Sequence, residues 1–567
     1  MKRSLRGAVA TAAPLAALLL PGMASAAEPI RKARIEQPVR SAAPDAAVVR
    51  ASFVKVHAPL PDSVGPHPRA CDWISYLRFR HRNGPRAPMR SDAVIVVIPG
   101  FLGGASNFDQ VARNTIRDAA RRGRHIELWA LDRRANCLED HRGVRAANRA
   151  GDASIAWGYY WGGREVAGKR FGGWVSHQDA AWLEEVGLEQ TVRDWYRILQ
   201  RIPGQRRRAR KVFCGGHSLG GPLTVAFAGW DFDGNPRTRR DAGYKQCAAF
   251  VGFDTRFSLG GLGGGGLSPT GVVLDAATSS GSPYVDVPPL TPETFEVPGV
   301  FGVGAFLDPS GTDLLDELPH STNIDLAQRL LFSKDAVHFA TGMPSIRDFT
   351  ITNELALGGV FDDNSQPLSF IRASVGFVTG GPLTDKDFPS PDPTLALPEE
   401  PSTPLYSWVD YDRVGARGAA IGLNDAGAPY TSRESEVADI GQLSRVLFEA
   451  SANFIEQYFP TRILTDVEAA GNGDRSGDLR NLRHNGISRR PAILILAGDS
   501  GNNRAEDTGG PIVGDPPNGR PLSRRVTLPG YNHLDVVMAA RRQNDGRAEP
   551  SSKALSTFVL RVLATKR

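Results

Sequence analysis

The stretch Lys211-Val212-Phe213-Cys214-Gly215-Gly216-His217-Ser218-Leu219-Gly220-Gly221 restricts this chain more than any other. A short apolar run, Lys211 to Cys214, reads as a strand and meets glycines, a serine and then a segment able to start a helix. Gly216 and Gly220 bracket Ser218 in the pattern Gly-x-Ser-x-Gly. A strand-to-helix turn this sharp strains the serine backbone, and a side chain at either bracketing position would collide with the neighbouring strand and helix. The turn pushes the hydroxyl out of the fold, and the helix behind it aims backbone N–H groups at any developing oxyanion. With 61 glycines the chain meets such a pentapeptide by chance, so the surroundings must carry the reading.

Those surroundings alternate strand and helix. Ala93 to Ile98 and Ile126 to Leu131 are continuous apolar runs of the kind found in buried parallel strands, and Trp73 to Arg80 reads as a half-exposed strand. Ala248 to Phe253, Ala492 to Leu496 and Val526 to Leu528 continue the series. Helical spacing covers Asn107 to Arg122, Leu183 to Arg201, Glu436 to Tyr458 and Ser552 to Ala564. This rhythm implies a mostly parallel sheet with helices on both faces. It breaks after Asp254, where Leu259 to Leu267 is nearly all glycine and proline and aspartate stay frequent to Pro404. The roughly 230 residues between the sixth and seventh strands are too many for a structureless loop. We expect a cap over the active site, hinged at Gly260 to Gly266. A Gly-x-Gly-x-x-Gly pattern inside that run has no helix after it, which argues against a dinucleotide loop.

The elbow resembles the nucleophile elbow of the α/β-hydrolase superfamily, and its His217-Ser218-Leu219-Gly220-Gly221 form is similar to the lipase and esterase branches. The resemblance covers Asp92 to Phe257 and Pro491 to Arg567. It implies an α/β-hydrolase fold with a large cap between the sixth and seventh strands. It also implies a serine esterase or lipase that needs no cofactor and no metal. Superfamily members carry their triad in the order nucleophile, acid, histidine. Ser218 matches the nucleophile. His533 lies in Val526-Thr527-Leu528-Pro529-Gly530-Tyr531-Asn532-His533-Leu534-Asp535, which resembles the histidine loop of acid lipases. Asp499, after Ile493-Leu494-Ile495-Leu496-Ala497-Gly498, resembles the acid by position, and Asp254 at the end of the preceding strand is its rival. Leu219 and Phe101 match the two oxyanion-hole N–H donors, although Pro99-Gly100 stands where many relatives have His-Gly. His217 is expected to pack near the site and Asp535 to cap the following helix. An acyltransferase or lactonase would use the same triad, and an inactive binding protein would keep the fold without the chemistry. Gly498-Asp499-Ser500-Gly501 echoes the serine motif of trypsin-like proteases, but no matching histidine segment lies upstream.

At 567 residues the chain exceeds one ordinary domain, and 41% hydrophobic content supplies a sizeable core. A net charge of +6 is small for this length, so arginine clusters such as Arg206-Arg207-Arg208 read as solvated faces and no nucleic-acid partner is expected. The partner is a small-molecule or lipid ester. Residues 1–26 have the basic start, apolar middle and Ala24-Ser25-Ala26 site of a cleaved secretion signal, which implies a secreted or periplasmic protein without stable membrane insertion. Residues 27–70 read as a loosely ordered leader, 71–258 and 491–567 as the two parts of the hydrolase core, and 259–490 as the cap. The 4 cysteines allow three pairings. Chain proximity favours Cys71 with Cys137 and Cys214 with Cys247, and buried free thiols are the alternative. The aromatic stretch Trp157, Tyr159, Tyr160, Trp161, Phe171, Trp174 either lines a pocket or packs a loop.

Overall fold

The apolar run Ala-Val-Ile-Val-Val-Ile can be buried on both faces only at the centre of a sheet covered on both sides. In a computed structural model, which describes residues 34–260, 269–415, 422–450, 452–487, 492–501 and 522–566, it sits there. The chain divides into two units, Met1–Ala33, outside the described residues, and Arg34–Arg567. The second unit opens with β1 (Arg34–Pro38), β2 (Val49–His57), β3 (Trp73–His81), β4 (Ala93–Ile98) and β5 (Ile126–Leu131). β6 (Val212–His217) and β7 (Ala249–Phe253) follow. Two small antiparallel ribbons lie beyond them, β8 (Gly376–Thr379) with β11 (Ser407–Asp410) and β9 (Leu383–Asp385) with β10 (Ala396–Pro398). β12 (Ile493–Gly498) and β13 (Arg524–Leu528) complete the main sheet.

The nine main strands run in the order β1-β2-β3-β5-β4-β6-β7-β12-β13. β1, β2 and β3 pair antiparallel with their neighbours, and every pairing from β5 to β13 is parallel. Side chains of β4 alternate between two cores, as a pleated strand demands. Ala93, Ile95 and Val97 join Val111, Ile116 and Phe558 on one face, from the helices Asp109–Arg121 and Pro550–Thr565. Val94, Val96 and Ile98 join Leu188, Val192 and Leu223 on the other, from the helices Leu188–Leu199 and Gly220–Gly229.

Two expectations are corrected here. The leader, residues 27–70, supplies β1 and β2, and β2 pairs along its whole length with β3, from Val49↔His81 to His57↔Trp73. Composition hid this strand because Arg50 and Lys55 are exposed while Val49, Phe53, Val54 and Val56 reach the cores. The helix expected over Glu436 to Tyr458 is confined to Ile440–Phe448, started by the Asp439 side chain accepting from Gln442 N–H at 2.9 Å. Beyond it the backbone zips onto the loop after β4. Ser106 N–H donates to Asn453 O (2.9 Å), Gly104 N–H to Phe454 O (2.9 Å) and Glu456 N–H to Leu102 O (2.8 Å).

The region between β7 and β12 includes the helices Pro292–Leu307, Thr322–Phe332, Asn353–Phe361 and Thr461–Gly471. Of the hinge expected at Gly260 to Gly266 only Gly260 is described, and the secretion signal expected at 1–26 lies outside the described residues. Cys71 bonds Cys137 and Cys214 bonds Cys247, with Cα–Cα distances of 5.1 and 5.8 Å, the pairing that proximity favours. Among the described residues no helix is long and apolar enough to cross a membrane.

Candidate active site

β6 runs through both glycines to His217 and turns at Ser218 into the helix Gly220–Gly229. Ser218 has φ of +55°, a strained value for a residue with a side chain, and it is held by its neighbours. Its N–H donates to Phe253 O (3.1 Å), and its carbonyl accepts from Gly221 N–H (2.9 Å) and from the Thr255 hydroxyl. The bracketing glycines are obligatory by contact: a Cβ on Gly216 would lie 2.5 Å from Gly220 O, and one on Gly220 would lie 2.4 Å from Ile98 O. Gly100 is constrained equally, because a Cβ there would meet Ser218 Cβ at 2.6 Å. The loop after β4 therefore lies directly against the serine.

His533 follows β13, and its Nδ1 lies 2.5 Å from Asp254 Oδ2. Both residues are buried, His533 at 1% and Asp254 at 0% exposure, so this contact is shielded from water. A carboxylate only accepts, so Nδ1 carries a proton, and in the neutral imidazole it is Nε2 that has the lone pair. Asp254 sits immediately after β7 with φ of +39°, and its Oδ1 accepts from Gly498 N–H at 3.3 Å.

The acid expected at Asp499 is thereby corrected. Asp499 is exposed, and its Oδ1 accepts from Gly530 N–H (2.8 Å), fixing the turn that leads into the histidine loop. The neighbouring Gly501 explains the Gly-Asp-Ser-Gly echo, since a Cβ there would lie 2.5 Å from Asp254 Oδ1. This segment packs against Asp254; Ser500 is exposed.

The histidine loop is tied down on its other side. Asp535 accepts from Asn532 N–H (2.7 Å) and from the Ser374 N–H and hydroxyl (3.0 and 2.8 Å), and Asn532 Nδ2 donates to Asp363 Oδ2 (2.7 Å). Asp535 thus anchors the loop; it does not cap the short helix Asp535–Met538 as expected but is its first residue, with Leu534 at the N-cap and no side-chain capping bond. His217 packs under the site as expected, with its Nε2 3.0 Å from the carbonyl oxygen of His533. That contact requires the proton on Nε2. Burial first, and then the His533 imidazole, holds His217 well below its ordinary range, so it stays neutral.

Ser218 and His533 open onto one cavity of about 120 Å³. Its walls are largely apolar, with Phe101 from the core and Phe295, Leu330, Leu331 and Phe361 from the helices between β7 and β12. Leu219 also stands at the elbow, and among the described residues neither its N–H nor that of Phe101 donates to another protein group. The aromatic stretch from Trp157 packs mainly on itself and on Phe301, and among the described residues it takes no part in this cavity. Sequence reasoning passed over Arg133, just after β5, whose buried guanidinium donates to Pro99 O (2.6 Å), Gly100 O (2.8 Å) and Gly103 O (2.9 Å). Nothing local marks it; only the fold brings it to the loop.

No protein-family model and no curated protein matches the chain. Solved structures align over most of its length at low similarity. A lipase in its open form is 12% identical and covers 94% of this chain and 99% of its own, with a TM-score of 0.27. The juvenile hormone epoxide hydrolase of the silkworm Bombyx mori is 10% identical over 91% and 80%, with a TM-score of 0.31. The α/β-hydrolase GrgF from a Penicillium species is 10% identical over 91% and 99%, with a TM-score of 0.27. The strand order, the antiparallel start at β2 and β3, the parallel run from β5 onward and the serine elbow after β6 mark this chain as having the α/β-hydrolase fold.

Proposed function

We propose that the protein is a serine hydrolase that cleaves carboxylic esters, with Ser218 as nucleophile, His533 as general base and Asp254 as the acid that orients it. The observation that carries this reading is the buried Asp254–His533 contact opening onto the same cavity as the strained Ser218. In the reaction Ser218 Oγ attacks the ester carbonyl carbon while His533 Nε2 takes the hydroxyl proton. The carbonyl π pair moves onto oxygen, where the N–H groups of Phe101 and Leu219 receive the charge. Collapse expels the alkoxide, which His533 protonates, leaving an acyl-enzyme. Water then enters by the same base and releases the acid.

The apolar lining supports an apolar acyl or alcohol portion on the substrate. The two disulfides and the signal-like start fit export to an oxidising compartment. The test is a fluorophosphonate probe with peptide mapping beside turnover of an ester panel graded by acyl length. Labelling at Ser218 and hydrolysis of apolar esters are expected, with both lost in Ser218→Ala. Label at another serine, or unchanged turnover in that variant, would refute the reading.

A further inference from the structure

We propose that Arg133 is the positioning residue of the oxyanion loop, an inference that rests on the serine-hydrolase reading above. Backbone bonds hold residues 99–103 mainly at their far end, where Leu102 O accepts from Glu456 N–H (2.8 Å) and Gly103 N–H donates to Gly100 O (3.2 Å). Pro99 has no N–H to donate, Gly100 must lack a side chain to approach Ser218, and Leu102 takes φ of +53°. A left-handed residue of this kind persists only where its surroundings fix it. At its start, at Pro99 and Gly100, the side chain that fixes the loop is the Arg133 guanidinium, which acts from behind it.

Nη2 donates to Pro99 O at 2.6 Å and to Gly100 O at 2.8 Å, and Nη1 donates to Gly103 O at 2.9 Å. Glu456 Oε2 accepts from Nη1 at 2.7 Å, and the guanidinium lies 4.8 Å from the Phe459 ring centre. Among the described residues the Gly100–Phe101 peptide is trans. In a trans peptide the C=O and the following N–H point in opposite directions. With Gly100 O directed at Arg133, the Phe101 N–H is directed away from it, towards the cavity that Gly100, Phe101 and Ser218 share. The cation also polarises that peptide in a dry interior and strengthens the N–H as a donor to the oxyanion. Charge balance alone would require only Glu456; contact with three carbonyls of one loop is what positioning requires. A lysine offers one point of charge and cannot span both sides of this fork.

The experiment uses the full chain with Arg133→Met, Arg133→Lys and the double variant R133M/E456L, which leaves no stranded carboxylate. Turnover of a short ester is normalised to titrated active sites, the affinity of a trifluoromethyl ketone is measured alongside, and Arg133→Met is crystallised. The expected result is a fall in kcat of about 100-fold with KM within about threefold, as for loss of one oxyanion donor. The trifluoromethyl ketone should weaken in parallel, Arg133→Lys should be partly restored, and the Gly100–Phe101 peptide should turn in the crystal. Retention of kcat per active site within about threefold in every variant, or an unturned peptide, overturns the proposal. If Arg133→Met does not fold, the double variant and Arg133→Lys carry the same comparisons, crystal included. Wild-type protein that neither hydrolyses esters nor takes the probe refutes the serine-hydrolase reading alone, because peptide orientation in the variant crystal still decides the role of Arg133.

Discussion

Asp254 and Asp499 are both carboxylates at the sheet's C-terminal edge, yet only Asp254 meets His533. The difference lies in burial and direction. Asp254 leaves β7 in a left-handed turn that carries its side chain under the histidine loop, whereas Asp499 stays outside and holds Gly530. A sequence read by position alone cannot see that turn, because φ above zero at an aspartate leaves no signature in composition. Ser218, Phe101 and His533, which line one cavity, stand in motifs with a steric reason, while the carboxylate that meets His533 is fixed by three-dimensional contact. Asp254→Asn is expected to lower kcat by a factor on the order of 10³ to 10⁴, by turning the imidazole to the wrong tautomer. Asp499→Asn keeps an acceptor for Gly530 N–H and should change activity by less than about threefold. Steady-state kinetics on one ester with both variants checks the pair, and the reverse ranking would return the acid to Asp499.

At the scale of elements, β6 and β7 carry Ser218 and Asp254 at their ends and are locked together twice. A Cβ on Gly215 would meet Val251 O at 1.8 Å, so the two backbones approach more closely than any side chain allows. The Cys214–Cys247 bond closes the loop between them. The sequence reading ended this strand at Cys214, treating the glycines as turn, because inside a strand glycine normally weakens pairing. Here close approach is what requires it. Closing a loop of 33 residues constrains the unfolded chain by roughly 4 kcal/mol. Replacing both cysteines by alanine should therefore lower Tm by about 4 °C in a chain of this size. Activity at 25 °C should persist, since the parallel ladder from Phe213↔Ala249 to His217↔Phe253 remains. Calorimetry and residual activity after heating measure the two effects separately.

Across the whole molecule, burial raises the pKa of several acids, Asp132, Glu139, Glu296 and Glu436 among them. Glu296, on the helix Pro292–Leu307, is pushed up to about 8 by burial, against the lowering effect of Gln457 and Tyr160. Its folded pKa exceeds the ordinary carboxylate value near 4.5, so between those two values the folded protein holds a proton that the unfolded chain releases. Stability from this group is complete below about 4.5 and is lost as pH rises towards 8. Glu296→Gln keeps the acceptor for Gln457 and removes the titration. Thermal melts from pH 5 to 9 should fall less steeply for this variant than for the wild type, and parallel curves would exclude Glu296 as a contributor.

The two strands hidden in the leader have a practical consequence for anyone shortening the chain. β3 is shielded along its nine paired positions by β2. A protein trimmed to begin at Cys71, as the composition of residues 27–70 invites, would leave that row of N–H and C=O groups without a partner. Bare edges of this length recruit one another into sheets between molecules. Such a truncate should appear in the insoluble fraction, or as large particles by light scattering, whereas a version starting at Arg34 should elute as discrete folded protein.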